Sequence, residues 1–111
     1  MKMQSLQGIT IVAAIATLLV MAGTAQAQRA HTLYASKCAG CHANDGSGNT
    51  SMGQMMHIPS FKSPAVQKMT NAKLRVMIAN GKAPMPAFKG QLTNTQIGEL
   101  VQYVRTLAKR K

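Results

Sequence analysis

The chain has 111 residues, of which 13 are Lys or Arg and only two are acidic, a formal charge of +11. That length accommodates one domain, and the charge repels cationic partners while steering acidic ones. With two Tyr, two Phe and no Trp, a core made of protein side chains alone is thin.

The N-terminus reads as an export signal. Lys2 supplies a basic start, Ile9 to Ala22 is an apolar run, and Ala25-Gln26-Ala27 is a small-residue cleavage site. The run is 14 residues, short of the roughly 20 that a spanning helix needs. No cysteine lies near the cleavage point, so a lipid anchor is not indicated; the alternative is an uncleaved N-terminal membrane anchor. Residues 1–27 are expected to be removed, leaving residues 28–111, 84 residues, as a periplasmic monomer with no stable membrane span. Without Lys2 the charge is +10, from 12 Lys and Arg against Asp45 and Glu99. Nucleic acid, the generic partner of a small basic protein, is disfavoured by the compartment, the few aromatics and the scattered positive charges. Acidic protein surfaces or anionic membrane surfaces are the expected partners.

The remaining chain reads as all-α, short helices joined by Gly- and Pro-marked loops. A first helix over about 29–39 places Ala30, Leu33 and Tyr34 on one face. It delivers Cys38-Ala39-Gly40-Cys41-His42, and Cys38 and Cys41 are the chain's two cysteines. The spacing C-x-x-C-H is that of covalent haem attachment. Each thiol can add across one vinyl group of a haem, and the adjacent imidazole can ligate its iron. A buried porphyrin would also complete the thin core.

Two other readings compete. An exported C-x-x-C pair can be a disulfide or a redox dithiol. The dithiol wants a strand before the motif and a helix after it, whereas Ala43 to Asn49 reads as a loop. Cys38, Cys41 and His42 with His57 could instead hold zinc, although neighbouring Cys41 and His42 make a strained ligand pair.

Ser63-Pro64 resembles an N-cap with proline at the first helical position, opening a helix toward Met69. Thr70 caps a further helix with Leu74, Met77 and Ile78 inward and Asn80-Gly81 as its stop. In the last helix Thr93 and Gln96 form a capping box, with Leu92 and Ile97 placed as a hydrophobic staple. Ile97, Leu100, Val101, Val104 and Leu107 form one apolar stripe, and Lys109-Arg110-Lys111 sits at the negative pole of the helix dipole.

His42 leaves a sixth iron position to fill, and its occupant separates electron transfer from ligand chemistry. Met69 and Met77 fall in helical segments, where Met is usually core filler. Met85 lies between Pro84 and Pro86, in a stiff segment that cannot be regular helix. It is the leading candidate, ahead of Met52, Met55 and Met56. His57 reads as a solvated loop residue and His31 as a surface residue.

On three blocks the sequence resembles the small class I cytochromes c of bacteria: Leu33 to His42, Asn80 to Phe88, and Leu100 to Val104. The resemblance implies a single covalently bound haem c with iron held by His42 and Met85, and terminal helices crossing through Ala30 and Tyr34 against Leu100 and Tyr103. It also implies that a backbone carbonyl after His42 accepts the other imidazole N–H. Phe61 and Phe88 are candidates to pack the haem, and Lys37, Lys82 and Lys89 to dock acidic partners. The expected function is a one-electron carrier rather than an enzyme. The alternative is a haem-based sensor or weak peroxidase with a displaceable sixth ligand.

Overall fold

The computed structural model describes residues 3–111, with side chains described from Ile11 onward. Lys2, the basic start of the export signal, lies outside the described residues. Six helices follow in order: α1 (Met3–Lys37), α2 (Ala39–His42), α3 (Ser51–Met55), α4 (Pro64–Gln67), α5 (Asn71–Asn80) and α6 (Asn94–Lys109). Among the described residues, extended pairing is confined to two isolated bridges, Lys82 with Met85 and Lys89 with Leu92. The all-α expectation holds.

The first helix differs from expectation at both ends. It begins at Met3 rather than near residue 29, because residues 3–37 contain no proline and are rich in Ala, so nothing stops it. Its Ile11–Lys37 stretch is long and apolar enough to cross a membrane by length and composition, so the shortness of the 14-residue apolar run does not carry over to the helix. A signal sequence meets the same criterion. Residues 11–29 are exposed throughout, and Ala30 is the first buried position among the residues whose side chains are described. At the other end the helix stops at Lys37. Cys38 leaves helical geometry at φ −120°, and Ala39–His42 forms a separate turn.

Packing of α1 on α6 makes the main core. Ala30, Tyr34, Leu100, Val101, Tyr103, Val104 and Leu107 belong to one buried cluster that also takes in Phe61, Val66 and Leu74. Tyr34 and Tyr103 lie with ring centroids 5.1 Å apart, within the range of favourable aromatic pairs. Arg29 donates to buried Glu99 at 3.2 Å across the same junction. His31 stays on the surface as expected, with its ring edge toward Tyr103 at 6.0 Å.

Local sequence signals explain most of the other ends. The Thr93–Gln96 capping box is present in both directions, at 2.8 and 3.1 Å. Thr70 accepts from Lys73 N–H at 3.1 Å, and Gly81 ends α5 at φ 68°. Ser63 departs from its reading. Pro64 opens α4, but the Ser63 hydroxyl is buried without a partner and the helix stops at Gln67, not Met69. Here the Ser63 carbonyl, not its side chain, serves the first turn by accepting from Val66 and Gln67 N–H. Beyond α4, Arg105 from α6 reaches over to donate to the Met69 carbonyl and to Asn71 Oδ1, which fixes the linker into α5. The short helix α3 was not read from the sequence, although Thr50 caps it by accepting from Gly53 N–H at 2.8 Å.

Candidate functional site

Cys38, Cys41 and His42 sit where α1 gives way to α2, directly beside the buried junction with α6. The turn is fixed by backbone bonds: His42 N–H donates to the Cys38 carbonyl at 2.9 Å, and Cys41 N–H donates to the same carbonyl at 3.2 Å. Beyond His42 the chain reverses through Ala43 at φ 65°, a left-handed conformation unusual for alanine. The Tyr34 hydroxyl holds it there, donating to the Ala43 carbonyl at 2.7 Å. Thr50 Oγ1 donates to the Cys41 carbonyl at 3.2 Å. Gly53 of α3 packs so closely on the Gly48 and Cys41 carbonyl oxygens that a Cβ would not fit.

Two cavities flank His42. The larger, about 320 Å³, is lined by Cys38, His42, Phe61, Leu74, Ile78 and Met85 among others. The second, about 180 Å³, is lined by Cys38, Cys41, His42, Met85 and Phe88. Cys38, His42, Met56, Ile58, Pro84 and Met85 line both. Phe61 and Phe88 are both buried, and each lines one cavity. Phe61 also stacks on the His42 ring, with centroids 4.8 Å apart and planes 27° apart.

Met85 is presented by a strap that folds back over the end of α5. Lys82 N–H donates to the Met85 carbonyl at 3.1 Å, and Met85 N–H donates to the Lys82 carbonyl at 2.8 Å. Further along, Phe88 and Lys89 N–H groups donate to the Ile78 and Ala79 carbonyls at 3.1 and 2.9 Å. The strap can approach because Gly81 has no side chain. A Cβ there would lie 2.7 Å from Ala87 N, Met85 O and Pro86 C.

The remaining sulfur and imidazole groups divide. Met69 and Met77 line the larger cavity as well as filling space. Met52 lines the smaller cavity, Met56 lines both, and Met55 lines neither. His57 is exposed but borders the larger cavity, in a left-handed conformation at φ 53°. The cavity role of Ile58 is not legible in the sequence, because nothing local in the chain marks a contact made across the fold, whereas Met56, a rival to Met85 in the sequence, lines both cavities.

Burial sets the protonation of the motif. The Cys38 thiol is pushed up to about 11, by desolvation first and the neighbouring Cys41 second. A redox dithiol relies on a depressed thiol, so this environment opposes the dithiol reading. The His42 pKa is lowered by desolvation, which keeps the imidazole neutral with a lone pair free for a metal. Among the described residues no three His, Cys, Asp or Glu side chains gather as a metal site, so His57 does not join the motif and the zinc reading fails.

One group at the site lacks a partner. His42 Nδ1 is buried with no hydrogen bond, an arrangement that ordinarily carries a cost. The carbonyl expected to accept from the ring is not supplied. The Ala43 carbonyl takes the Tyr34 hydroxyl, the Gly46 carbonyl takes Phe61 N–H, and the His42 carbonyl takes Gly48 N–H. Apolar cavities lined by the two thiols, a neutral imidazole and a thioether fit an iron porphyrin.

A family profile described as cytochrome c oxidase, cbb3-type, subunit III matches residues 25–104. The chain belongs to the small class I c-type cytochromes. Cytochrome c6 of Leptolyngbya boryana is 33% identical, over 70% of this chain and 88% of that protein. Cytochrome c6 of Euglena gracilis is 30% identical, over 68% and 86% respectively. That of Euglena viridis is 29% identical over the same shares. The cofactor of this cytochrome is covalently bound haem c with iron. With a single C-x-x-C-H motif, it is a monohaem member of an electron-carrying family.

Proposed function

We propose that this cytochrome is a periplasmic one-electron carrier, in which Cys38 and Cys41 hold the haem through thioethers and His42 and Met85 ligate the iron. Haem c would supply a one-electron iron couple there, and a thioether and an imidazole as its ligands would raise the potential. The chain's own residues do the rest. Phe61 orients the His42 ring, the strap holds Met85 on the lining of both cavities, and the apolar walls exclude water. The observation that carries this reading is that His42 and Met85 alone, of the two proposed iron ligands and all their rivals save Met56, reach both cavities from separately anchored backbone. Met56 lacks such a two-sided backbone clamp and is 40% exposed.

Export and partners complete the reading. The exposure of residues 11–29, ending at Ala30, supports removal of residues 1–27, since none of residues 11–27 belongs to the core. The excess of basic side chains, with Lys37 and Lys82 on the cavity linings, supports docking to acidic redox proteins.

The decisive experiment is optical. The oxidised protein should show the weak near-infrared sulfur-to-iron band, and Met85→Ala should abolish it while the haem stays attached. A band that survives in Met85→Ala would overturn the ligand assignment. Carbon monoxide binding to the reduced wild-type protein at neutral pH would favour the sensor or peroxidase reading over the carrier.

A further inference from the structure

On the proposed removal of residues 1–27, Gln28 becomes the first residue of the chain, because it follows the Ala25-Gln26-Ala27 cleavage site directly. The Gln28 side chain is exposed, whereas the two residues after it are held in the fold. Arg29 donates to buried Glu99 at 3.2 Å, and Ala30 is 4% exposed in the core. Thr32 Oγ1 donates to the Gln28 carbonyl at 3.1 Å, which ties residue 28 itself to the first turn of the shortened helix. The new α-amine is thus fixed at a helix start rather than trailing on a loose tail.

An ammonium is badly placed there. The start of a helix is the positive pole of its dipole, and a cation at that pole is repelled. Arg29 adds a second cation next in sequence, and the carboxylate at this junction, Glu99, is already paired with it. Glutamine can remove the charge unaided, since its own side-chain amide lies within reach of a five-membered ring to the α-nitrogen.

We propose that Gln28 is a modification site, cyclised to pyroglutamate once residues 1–27 are gone, an inference that rests on the export reading above. The unprotonated α-nitrogen attacks the side-chain carbon Cδ and a new N–Cδ bond forms. The Cδ–Nε2 bond breaks, one proton passes from the α-nitrogen to Nε2, and ammonia leaves. The step consumes no oxidant, metal or other reactant. The lactam nitrogen is neutral, so like an acetylated terminus it relieves the repulsion at the helix start. It also leaves no free α-amine for an aminopeptidase to act on, which protects the Arg29 contact to Glu99.

The test is intact mass and stepwise N-terminal sequencing of the haem-loaded protein purified from the periplasm. Wild type should weigh about 17 Da less than the open chain of residues 28–111 with its haem, the mass of one ammonia. Sequencing should stall until pyroglutamate aminopeptidase is added, and should then begin at Arg29. Gln28→Ala, a change to a good helix former at an exposed position, should show its full open-chain mass and sequence at once from position 28. A wild-type chain of open mass that sequences freely from Gln28 overturns the proposal and leaves the cleavage site standing. A chain that still carries residues 1–27, or that starts at another residue, overturns the proposal and the cleavage site together. A Gln28→Ala chain that is equally blocked also overturns the proposal, because the block then does not need the glutamine side chain. The near-infrared band of the same samples tests the iron ligands independently of all these outcomes.

Discussion

Phe61 lies flat against His42, with ring centroids 4.8 Å apart and an interplanar angle of 27°. Its backbone is tied to the turn after the haem motif, since Phe61 N–H donates to the Gly46 carbonyl at 2.9 Å. The contact therefore joins the segment carrying the imidazole to the wall of the cavity it faces. Phe61→Ala should cost about 3–5 kcal/mol of stability, the usual range for a buried phenylalanine. Denaturant unfolding of the haem-loaded protein measures it. A loss below about 1 kcal/mol, the scale of one ordinary hydrogen bond, would show that the stack and its surrounding packing contribute little.

Gly81 controls the approach of the methionine strap. Alanine there meets a left-handed φ of 68° and three backbone atoms at 2.7 Å. Gly81→Ala should destabilise by more than about 1 kcal/mol, and it should shift or weaken the sulfur-to-iron band because Met85 is displaced. An unchanged band with unchanged stability would mean that the strap tolerates movement at its base.

Tyr34 gives a pH signature. Burial, foremost, and nearby anionic groups hold its phenol well above the ordinary tyrosine value. Above about pH 10 the unfolded chain releases this proton while the folded chain keeps it. Stability that is complete below that pH is therefore lost progressively as the pH rises. Tyr34→Phe should lower stability at neutral pH by about 1 kcal/mol through the lost hydrogen bond to the Ala43 carbonyl. Its stability should also fall less steeply than that of wild type in alkali, as read from urea unfolding at a series of pH values. Parallel pH curves for the two proteins would contradict the linkage.

Charge predicts kinetics. Electron transfer from the reduced protein to an anionic inorganic oxidant should slow as ionic strength rises, and transfer to a cationic one should quicken. Replacing Lys37, Lys82 and Lys89 together with glutamate should slow the anionic reaction several-fold, in keeping with the scale of electrostatic steering. Stopped-flow rates that ignore ionic strength would remove the electrostatic basis for acidic partners.

Arg29 and Glu99 form an ion pair whose arginine side chain is 65% exposed and whose glutamate side chain is 6% exposed. Solvent screening keeps such a pair weak, so Arg29→Ala should cost no more than about 1 kcal/mol. Thermal unfolding of the processed protein measures it. A larger loss would assign to this pair the α1–α6 docking that Ala30, Tyr34 and Leu100 otherwise provide.

Local chemistry made several features legible before any folding. Cys38, Cys41 and His42 declare their use because thioether attachment and ligation need those groups at that spacing. Thr70, Gly81, Thr93 and Gln96 mark helix ends because each satisfies backbone groups within one turn of itself. The stripe from Ile97 to Leu107 shows which face of α6 is buried for the same short-range reason. Ser63 shows the limit, since its place before Pro64 is right but its hydroxyl makes no cap. What only the tertiary structure decided is whatever depends on contacts between distant segments. These are the cradle of Gly53 on the Cys41 carbonyl, the stacking of Phe61 on His42, the capture of the Ala43 carbonyl by Tyr34, and the choice of Met56 and Met85 among many methionines to line both cavities. Sequence patterns report which groups must be buried or capped. They do not report which buried groups meet, because that follows from close packing of the whole chain.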